Sequence, residues 1–391
     1  MKYNFDEIIC RENTSSVKYD MRMQLFGRGD VLPVWVADMD FRTPDFVLDA
    51  IRSRAEHPIL GYSYHPDSFF DAFANWMKRR HNWQIERDWI VFSPGIVPAL
   101  NVSVLALTCP GDKIIVQPPV YFPFFTAIKD HGRVMAENPL LLKNGRYFID
   151  FKGLENLMDG TVRMLMLCSP HNPGGMVWTE DELKRLIEIC VKNNVLILSD
   201  EIHSDLVFQP YKHVPTALIG GAAHITIACY APSKTFNLAG MSTSVVIIPE
   251  KQLRDKFTGW IQKLHIGWGN LFGTVAFETA YNNGDEWLEQ LLDYVNGNIR
   301  FVVEFCKTRI PRLKVMIPES TYMLWLDFKE FGLNDEKISR LLIDEAKLGL
   351  SHGPVFGTGG SGFQRMNVAC PRSVLVDAMN RIENAFVNQK S

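Results

Sequence analysis

The stretch Thr179-Glu-Asp-Glu-Leu-Lys-Arg-Leu-Ile-Glu-Ile-Cys-Val-Lys-Asn-Asn-Val-Leu-Ile-Leu198 encodes a helix that is followed at once by a buried strand. Thr179 and Glu182 have the spacing of a capping box, which satisfies backbone N–H groups at a helix start. The helix then presents one apolar stripe, formed by Leu183, Leu186, Ile187 and Cys190. After Asn193-Asn194, the run Val195–Leu198 is apolar on both faces, which is typical of a strand inside a covered sheet.

The same alternation of short apolar runs and amphipathic stretches extends over much of the chain. The other runs that we expect to form buried strands are Ile90–Phe92, Ile114–Val116, Met164–Cys168, Ile225–Ala228 and Val245–Ile248. Strand, helix and strand repeated in this way predict a mainly parallel sheet with helices on both faces. We assign this large α/β domain to residues 45–285.

The pattern changes near residue 285, where strands are accompanied by fewer helices. We expect helices over Asp285–Lys307, over Asp335–Lys347 and from Pro371 onward, and strands at Lys314–Ile317, Tyr322–Phe328 and Phe363–Val368. This predicts a smaller α+β domain of residues 286–391. Residues 1–44 contain no obvious βα unit, so we expect them to pack with this domain.

Composition excludes several classes of partner. The chain has 391 residues, 47% hydrophobic and 22% charged, with a net charge of −3 and interspersed signs. This charge gives no electrostatic footprint for nucleic acid or an anionic membrane. The run Lys78–His81 at a helix end is interpreted as a solvated face. The N-terminus lacks the apolar segment of a signal peptide and no run is long enough to span a membrane, so we expect a cytoplasmic protein.

The seven cysteines are spread along the chain without a C-x-x-C pair. Most lie in apolar surroundings, which indicates small buried hydrophobes in a reducing compartment. Zinc-ligand spacings and an H-E-x-x-H motif are both missing from the sequence, so we expect no metal site.

Candidate catalytic or ligand-binding residues follow four of the predicted strands. Gly95 permits a sharp turn into a helix whose first N–H groups can bind phosphate, although many strand–helix turns contain glycine. Asn172 lies in a Pro- and Gly-rich loop, where turn chemistry is the ordinary explanation. Asp200 ends a strand, where a helix cap is equally plausible. Lys234 is the one basic side chain in Cys229–Gly240.

Together, these four positions have the chemistry that pyridoxal phosphate (PLP) requires. A lysine amine forms a Schiff base with the aldehyde of the cofactor, and a carboxylate keeps its ring nitrogen protonated. An amide can donate to the ring oxygen. In parallel sheets, ligands bind beyond the carboxyl ends of the strands, where all four residues are expected to lie.

The motifs Ser169-Pro-His-Asn-Pro-Gly174, Ser199-Asp-Glu201 and Ser233-Lys234 resemble those of fold-type I PLP enzymes of the class I/II aminotransferase family. The resemblance implies a PLP-dependent transferase-like fold with a seven-stranded sheet. More narrowly, the chain resembles the branch of cystathionine β-lyases typified by MalY and PatB. The stretches that carry this narrower resemblance are Trp35–Phe41, Gly61–Ser63, Gly95–Ala99, Asp200–His203, Lys234–Asn237 and Asn367–Arg372.

The resemblance implies roles for individual residues at the cofactor. Lys234 would bond covalently to PLP and later move protons at the substrate Cα, and Asp200 would pair with the ring nitrogen. Asn172 would donate to the ring oxygen and Tyr121 would stack on the ring, although core packing is an alternative for this tyrosine. The remaining cofactor contacts are assigned to Gly95, the backbone of Ile96 and Val97, His203 and the hydroxyl of Ser233.

The resemblance also implies the substrate contacts and the assembly. Arg365 would bind the α-carboxylate of an amino-acid substrate through two parallel hydrogen bonds, and Ala37 and Asp38 would lie beside the substrate. Tyr62 would reach the phosphate of the neighbouring subunit, which implies a homodimer. For Tyr62, ordinary core packing is an equal alternative.

Two departures from the wider family favour the lyase branch. His203 stands where transaminases usually carry a tyrosine, and Ser242 stands where they usually carry a phosphate-binding arginine. We therefore expect a carbon–sulfur β-lyase that releases a thiol, pyruvate and ammonia. An aminotransferase, or a regulatory binding protein with residual lyase activity, are the alternatives. Gly357–Gly362 lacks the context of a dinucleotide loop, and His265–Asn270 supplies no obvious cation for a second substrate carboxylate.

Overall fold

The computed structural model describes residues 2–387. The α-helices, in chain order, are α1 Val17–Asp20, α2 Arg22–Phe26, α3 Asp45–Glu56, α4 Asp67–His81, α5 Ile96–Leu107, α6 Pro123–Lys129, α7 Phe151–Leu157, α8 Glu180–Lys192, α9 Pro232–Thr235, α10 Lys251–Lys263, α11 Leu271–Asn283, α12 Asp285–Arg309, α13 Asp335–Arg340 and α14 Arg372–Phe386. The strands are β1 Leu32–Pro33, β2 Ile90–Ser93, β3 Lys113–Val116, β4 Val134–Glu137, β5 Leu141–Lys143, β6 Arg146–Phe148, β7 Val162–Cys168, β8 Leu196–Asp200, β9 Thr226–Tyr230, β10 Ser244–Ile247, β11 Lys314–Met316, β12 Met323–Asp327, β13 Leu348–Gly349, β14 Ser351–His352 and β15 Phe363–Asn367.

The central sheet has seven strands in the order β2-β10-β9-β8-β7-β3-β4. β10 runs antiparallel to both of its neighbours, and the other strands run parallel to one another. This confirms the predicted mainly parallel, seven-stranded sheet. The pairing also sets the site, because parallel strands bring their carboxyl ends to one edge.

Both faces of the sheet are covered, as the doubly apolar strands predict. Along β10, Val245 and Ile247 pack into a core cluster that includes Phe69 of α4 and Phe277 of α11. The alternate residue Val246 faces the opposite side, where it packs with side chains of α5 and α10. Since successive side chains of a strand point to opposite faces, one strand contributes to two cores.

The stretch Thr179–Leu198 folds as predicted. Glu182 N–H donates to Thr179 Oγ1 over 3.2 Å, and Thr179 N–H donates to Glu182 Oε2 over 2.8 Å, so both bonds of the capping box are present.

The seventh strand, β4, was missed because it lies at the sheet edge. Val134 is 46% exposed, and such a strand lacks the doubly apolar pattern.

A second sheet has the order β11-β12-β15-β14 and contains the three strands predicted after residue 285. The helix predicted over Asp335–Lys347 is shorter than expected, because a π-helix over Leu341–Glu345 follows α13. β1 pairs in parallel with β13, so the N-terminal segment does join the C-terminal part of the chain. The domain limits at residues 45 and 285 stay a prediction, since one core cluster includes Phe5, Phe69 and Trp287.

The interpretation of Lys78–His81 as a solvated face is wrong for its last residue. Lys78 is exposed, but the His81 side chain is only 6% exposed and Nε2 lies 2.8 Å from Asp205 Oδ1. Five of the seven cysteines are buried, whereas Cys10 and Cys109 are exposed. In residues 2–387, no helix combines the length and the apolar character needed to cross a membrane.

Candidate active site

The carboxyl ends of β2, β7, β8 and β9 border one cavity of about 250 Å³. β10 runs in the opposite direction, so the residues that precede it, Ser242 and Thr243, reach the same edge of the sheet. The cavity lining is Ala37, Pro94–Pro98, Tyr121, Cys168, Asn172, Asp200, Ile202, His203, Ala231, Ser233, Lys234, Ala239, Ser242 and Thr243. Most of the cofactor residues predicted from the sequence therefore lie together.

The turn after β2 presents the start of α5 to the cavity. Gly95 has φ 137°, a backbone conformation that other residues rarely adopt, and its N–H donates to Ser244 Oγ over 3.2 Å. The first intrahelical bond runs from Ala99 N–H to Gly95 O. The N–H groups of Ile96 and Val97 come before this bond, so they are at the positions that bind anions at helix starts.

Asp200 is a buried carboxylate that borders the cavity. Its Oδ1 accepts from Ile202 N–H over 3.2 Å. Burial raises its pKa to about 7, and the bond from Ile202 and the nearby Lys234 offset only part of that rise. A carboxylate in this state gains much from an added cationic donor, such as a protonated ring nitrogen.

Lys234 follows β9 in the short helix α9, and its Nζ donates to the carbonyl oxygen of Ala37 over 2.7 Å. The pKa of Lys234 is lowered to about 8, chiefly by burial and also by Arg365, while Asp38 and Asp200 oppose the shift. A lysine with this pKa is partly neutral near pH 8, as a nucleophile or base must be.

Arg365 lies on β15 of the second sheet and is buried. It donates to Asn172 Oδ1 over 2.9 Å and to the carbonyl oxygen of Trp35 over 3.1 Å, and its buried Nε has no hydrogen-bond partner in the described residues. Burial lowers its pKa to about 10. Because Asn172 uses its oxygen for this bond, its NH₂ group is the end that can donate to a ligand.

Two further predicted residues border the cavity. His203 is buried, and burial lowers its pKa to about 3, with the cations Lys234 and Arg365 acting in the same direction. The imidazole is therefore neutral, and its buried Nδ1 has no hydrogen-bond partner among residues 2–387. Burial raises the pKa of Tyr121 to about 12, so its ring is a neutral surface.

This donor set fits PLP. The start of α5 and the hydroxyls of Ser233 and Ser242 offer donors for a phosphate, while Lys234 offers the amine for an aldehyde. The Asp200 carboxylate accepts one hydrogen bond within the described residues, from Ile202 N–H. A protonated ring nitrogen would give it a second donor. The fit therefore rests on the chemistry of several independent groups.

Comparison with known proteins agrees with this geometry. Residues 30–382 match the family described as aminotransferase class I and II. The chain belongs to this family. It is 43% identical over 385 residues to cystathionine β-lyase PatB of Bacillus subtilis, and the alignment covers 98% of this chain and 100% of that protein.

Solved structures of this family extend the comparison. The chain is similar to cystalysin of Treponema denticola, which contains a PLP cofactor, with a TM-score of 0.96, 36% identity and full coverage of both chains. It is also similar to a PLP-bound C–S lyase of Staphylococcus hominis, with a TM-score of 0.92, 32% identity and 98% coverage of each chain. The resemblance to the class I/II aminotransferase family and to its PatB branch is confirmed.

Three predicted site residues do not line the cavity. Arg365 does not border it but donates to Asn172, which does. Asp38 binds Arg11 through its carboxylate over 2.6 Å in an adjoining cleft, so its contact with the substrate stays a prediction that this placement does not favour. Tyr62 is fully exposed, so core packing, the alternative for this tyrosine, is wrong. Its reach into a neighbouring site stays a prediction.

Sequence reasoning missed several residues that support the site. Tyr322 donates its hydroxyl to the Ala37 carbonyl oxygen over 3.1 Å, beside Lys234. Asp205 accepts from Thr235, the residue after Lys234, over 2.9 Å. These partners are far apart in the sequence, so no local pattern indicates them.

Proposed function

We propose that this chain is a PLP-dependent carbon–sulfur β-lyase that cleaves cystathionine or a related cysteine S-conjugate to a thiol, pyruvate and ammonia. The observation that carries the proposal is the cavity in which Lys234, Asp200 and Asn172 meet the start of α5. The identity to PatB over the whole chain favours the lyase over other reactions of the family.

PLP, when bound, supplies an aldehyde that bonds an amine and a ring that withdraws electrons from the substrate Cα. Asp200 would hold the ring nitrogen protonated, and Asn172 would donate to the ring oxygen. Ile96, Val97 and Ser233 would bind the phosphate. Ser242 lies in the cavity where the wider family has an arginine, so a neutral hydroxyl takes the place of a cation.

Arg365 would bind the α-carboxylate of the substrate, with Nε as a donor that no other described residue uses. Lys234 would remove the proton from Cα, and its pKa of about 8 leaves part of the population neutral at neutral pH. Loss of the Cα proton and of the thiolate at Cβ balances the elimination. The resulting 2-aminoacrylate takes up water and gives pyruvate and ammonia.

The test is the purified protein loaded with PLP and incubated with L-cystathionine, without any 2-oxo acid. We expect homocysteine and pyruvate in equal amounts, and no turnover by Lys234→Ala. If no visible absorbance develops after incubation with PLP, the cofactor assignment is wrong. If absorbance develops but no pyruvate forms from any cysteine S-conjugate, the lyase assignment is wrong.

An aminotransferase is the second candidate, because the family that matches residues 30–382 includes this activity. Lys234, Asp200 and Asn172 would serve that reaction equally well. The same incubation distinguishes the two, since a transaminase without a 2-oxo acid consumes no more than one equivalent of amino acid per bound PLP.

The assembly and location are also proposed. Large apolar side chains are exposed on one irregular segment, where Ile59, Leu60, Tyr62 and Tyr64 are all more than 60% exposed. Such a patch is typical of a covered interface, which supports a homodimer in which Tyr62 reaches the phosphate of the other subunit. Light scattering, and a weaker PLP affinity of Tyr62→Ala, would test it. We also propose a cytoplasmic location.

A further inference from the structure

The segment Val36–Phe41 has no regular secondary structure, and its residue Ala37 lines the cavity. Backbone groups in such a segment need partners from elsewhere. The carbonyl oxygen of Ala37 accepts from Lys234 Nζ over 2.7 Å and from the Tyr322 hydroxyl over 3.1 Å. The segment is thus hydrogen-bonded directly to the lysine of the proposed mechanism.

Two asparagines hold the carbonyl groups on either side of Ala37. Asn367 Nδ2 donates to the carbonyl oxygens of Val36 over 2.8 Å and Asp38 over 2.6 Å. Asn237 Nδ2 donates to those of Met39 over 3.1 Å and Phe41 over 3.0 Å. Five of the six carbonyl groups of the segment therefore accept from side chains, and one of these side chains is Lys234.

Two cations that do not line the cavity bind the segment. Lys18 is fully buried, and its Nζ lies 2.7 Å from Asp40 Oδ2 and 3.3 Å from the carbonyl oxygen of Asp38. Arg11 binds Asp38 and Asp40, each over 2.6 Å. A buried lysine is costly unless it is paired, and here its partners all belong to this segment.

We propose that Val36–Phe41 holds the amine of Lys234 at the cavity through the Ala37 carbonyl, and that Lys18 is a positioning residue that keeps this carbonyl in place. Lys18 does not touch the cavity, so it acts through the segment. The inference rests on the proposed role of Lys234. It assigns a function to a buried charge that the reaction itself does not use.

The test compares Lys18→Met with the wild type. In Lys18→Met, Asp40 keeps Arg11, so the carboxylate is not left unpaired. In the cofactor-free protein, we expect a small amine reagent to label Lys234 about tenfold faster, because the segment opens more often. Peptide mass spectrometry measures the labelling, with the exposed Lys152 as internal reference. In the PLP-loaded protein, kcat should fall about tenfold or more with little change in KM.

Two further variants complete the test. Arg28→Met removes an ion pair with Asp30 in the same N-terminal region, away from the segment, and should leave the labelling of Lys234 unchanged. Asp40→Asn keeps the shape of the side chain and should change labelling in the same direction as Lys18→Met. Lys234 labelling within about twofold of the wild type in either folded variant overturns the proposal, whatever the loss of stability. Because labelling needs no catalysis, this result is separate from a failure of the lyase assignment.

Discussion

Three buried carboxylates lie within six residues at the end of β8, and their surroundings differ sharply. Glu201 accepts from Ser199, from Thr216 N–H, from His213 and from Tyr230. Asp205 accepts from Trp76, His81 and Thr235. Asp200 accepts from one backbone N–H, that of Ile202, within the part of the chain that the structure describes.

The difference in donors decides the charge of each group. Burial alone would raise the pKa of Glu201 and of Asp205, but their donors, led by His213 and His81, lower both below the ordinary values. Burial raises the pKa of Asp200 to about 7, because its one donor cannot compensate. The protein therefore supplies the hydrogen-bond donors that keep Glu201 and Asp205 ionised. Asp200 needs a further donor, which only a ligand can supply.

The largest expected effect is the loss of activity in Asp200→Asn. Asparagine keeps the shape but cannot hold a ring nitrogen protonated, so kcat should fall by about a thousandfold, or roughly 4 kcal/mol in the barrier. Steady-state kinetics with L-cystathionine measures this fall.

The matched control is Asp205→Asn, the same change five residues further along the chain. It should lower kcat of the folded, PLP-loaded protein by no more than about tenfold, because Asp205 does not border the cavity. Equal losses in the two variants would contradict the distinction between a ligand-directed and a structural carboxylate.

The second effect is on the pH dependence of stability in the cofactor-free protein. The pKa of Asp200 is about 7 in the folded state and 3.8 ordinarily, so the folded state holds a proton that the unfolded state releases. The contribution of Asp200 to stability should therefore fall as the pH rises from about 4 to about 7, by an amount on the order of a few kcal/mol. Asp200→Asn should remove this fall.

Urea unfolding at about pH 5 and about pH 8 measures the effect. The free energy of unfolding of the variant should exceed that of the wild type by more at the higher pH. An equal difference between variant and wild type at both pH values would show that the pKa of Asp200 is not raised in the folded protein.

Much of this site could be predicted from the sequence, because its reactive residues follow buried strands. Asp200 is the last residue of β8 and Lys234 follows β9 in α9, and parallel strands must bring such residues to one edge. The position of Ser242 at the same edge could not be predicted, because the apolar run of β10 does not indicate that this strand is antiparallel to its neighbours.

The supporting contacts could not be predicted, because their partners are far apart in the chain. His81 belongs to a run of basic residues whose pattern indicates solvation, yet Asp205 holds it in the core. Lys18 likewise lies in a polar stretch and is fully buried against Asp40. A buried polar contact depends on the tertiary packing around it, and neither residue carries a local signal of that packing.

The third effect is the loss of stability in Glu201→Gln. An amide would turn its NH₂ group toward two of the four donors, which leaves buried groups unpaired and should cost about 2 kcal/mol. Urea unfolding near neutral pH measures it. Glu180→Gln, on the exposed pair with Lys184, is the control and should change the free energy of unfolding by less than about 0.5 kcal/mol. Equal changes would show that the buried donors add nothing.

The smallest effect is expected for Thr235→Val, which removes one of the three donors to Asp205 and keeps the shape of the side chain. Trp76 and His81 remain, so the free energy of unfolding should fall by only about 1 kcal/mol. The exposed Thr308, which donates to the carbonyl oxygen of Glu304 within α12, provides a control in Thr308→Val.

The neighbouring Lys234 makes the kinetic outcome of Thr235→Val informative. If Asp205 only stabilises the loop, kcat should stay within about threefold of the wild type, since Lys234 keeps its bond to the Ala37 carbonyl. A fall beyond about tenfold without a larger loss of stability would mean that Asp205 positions Lys234 through Thr235. The contrast between Asp200 and Asp205 would then be one of direct and indirect action on the same reaction.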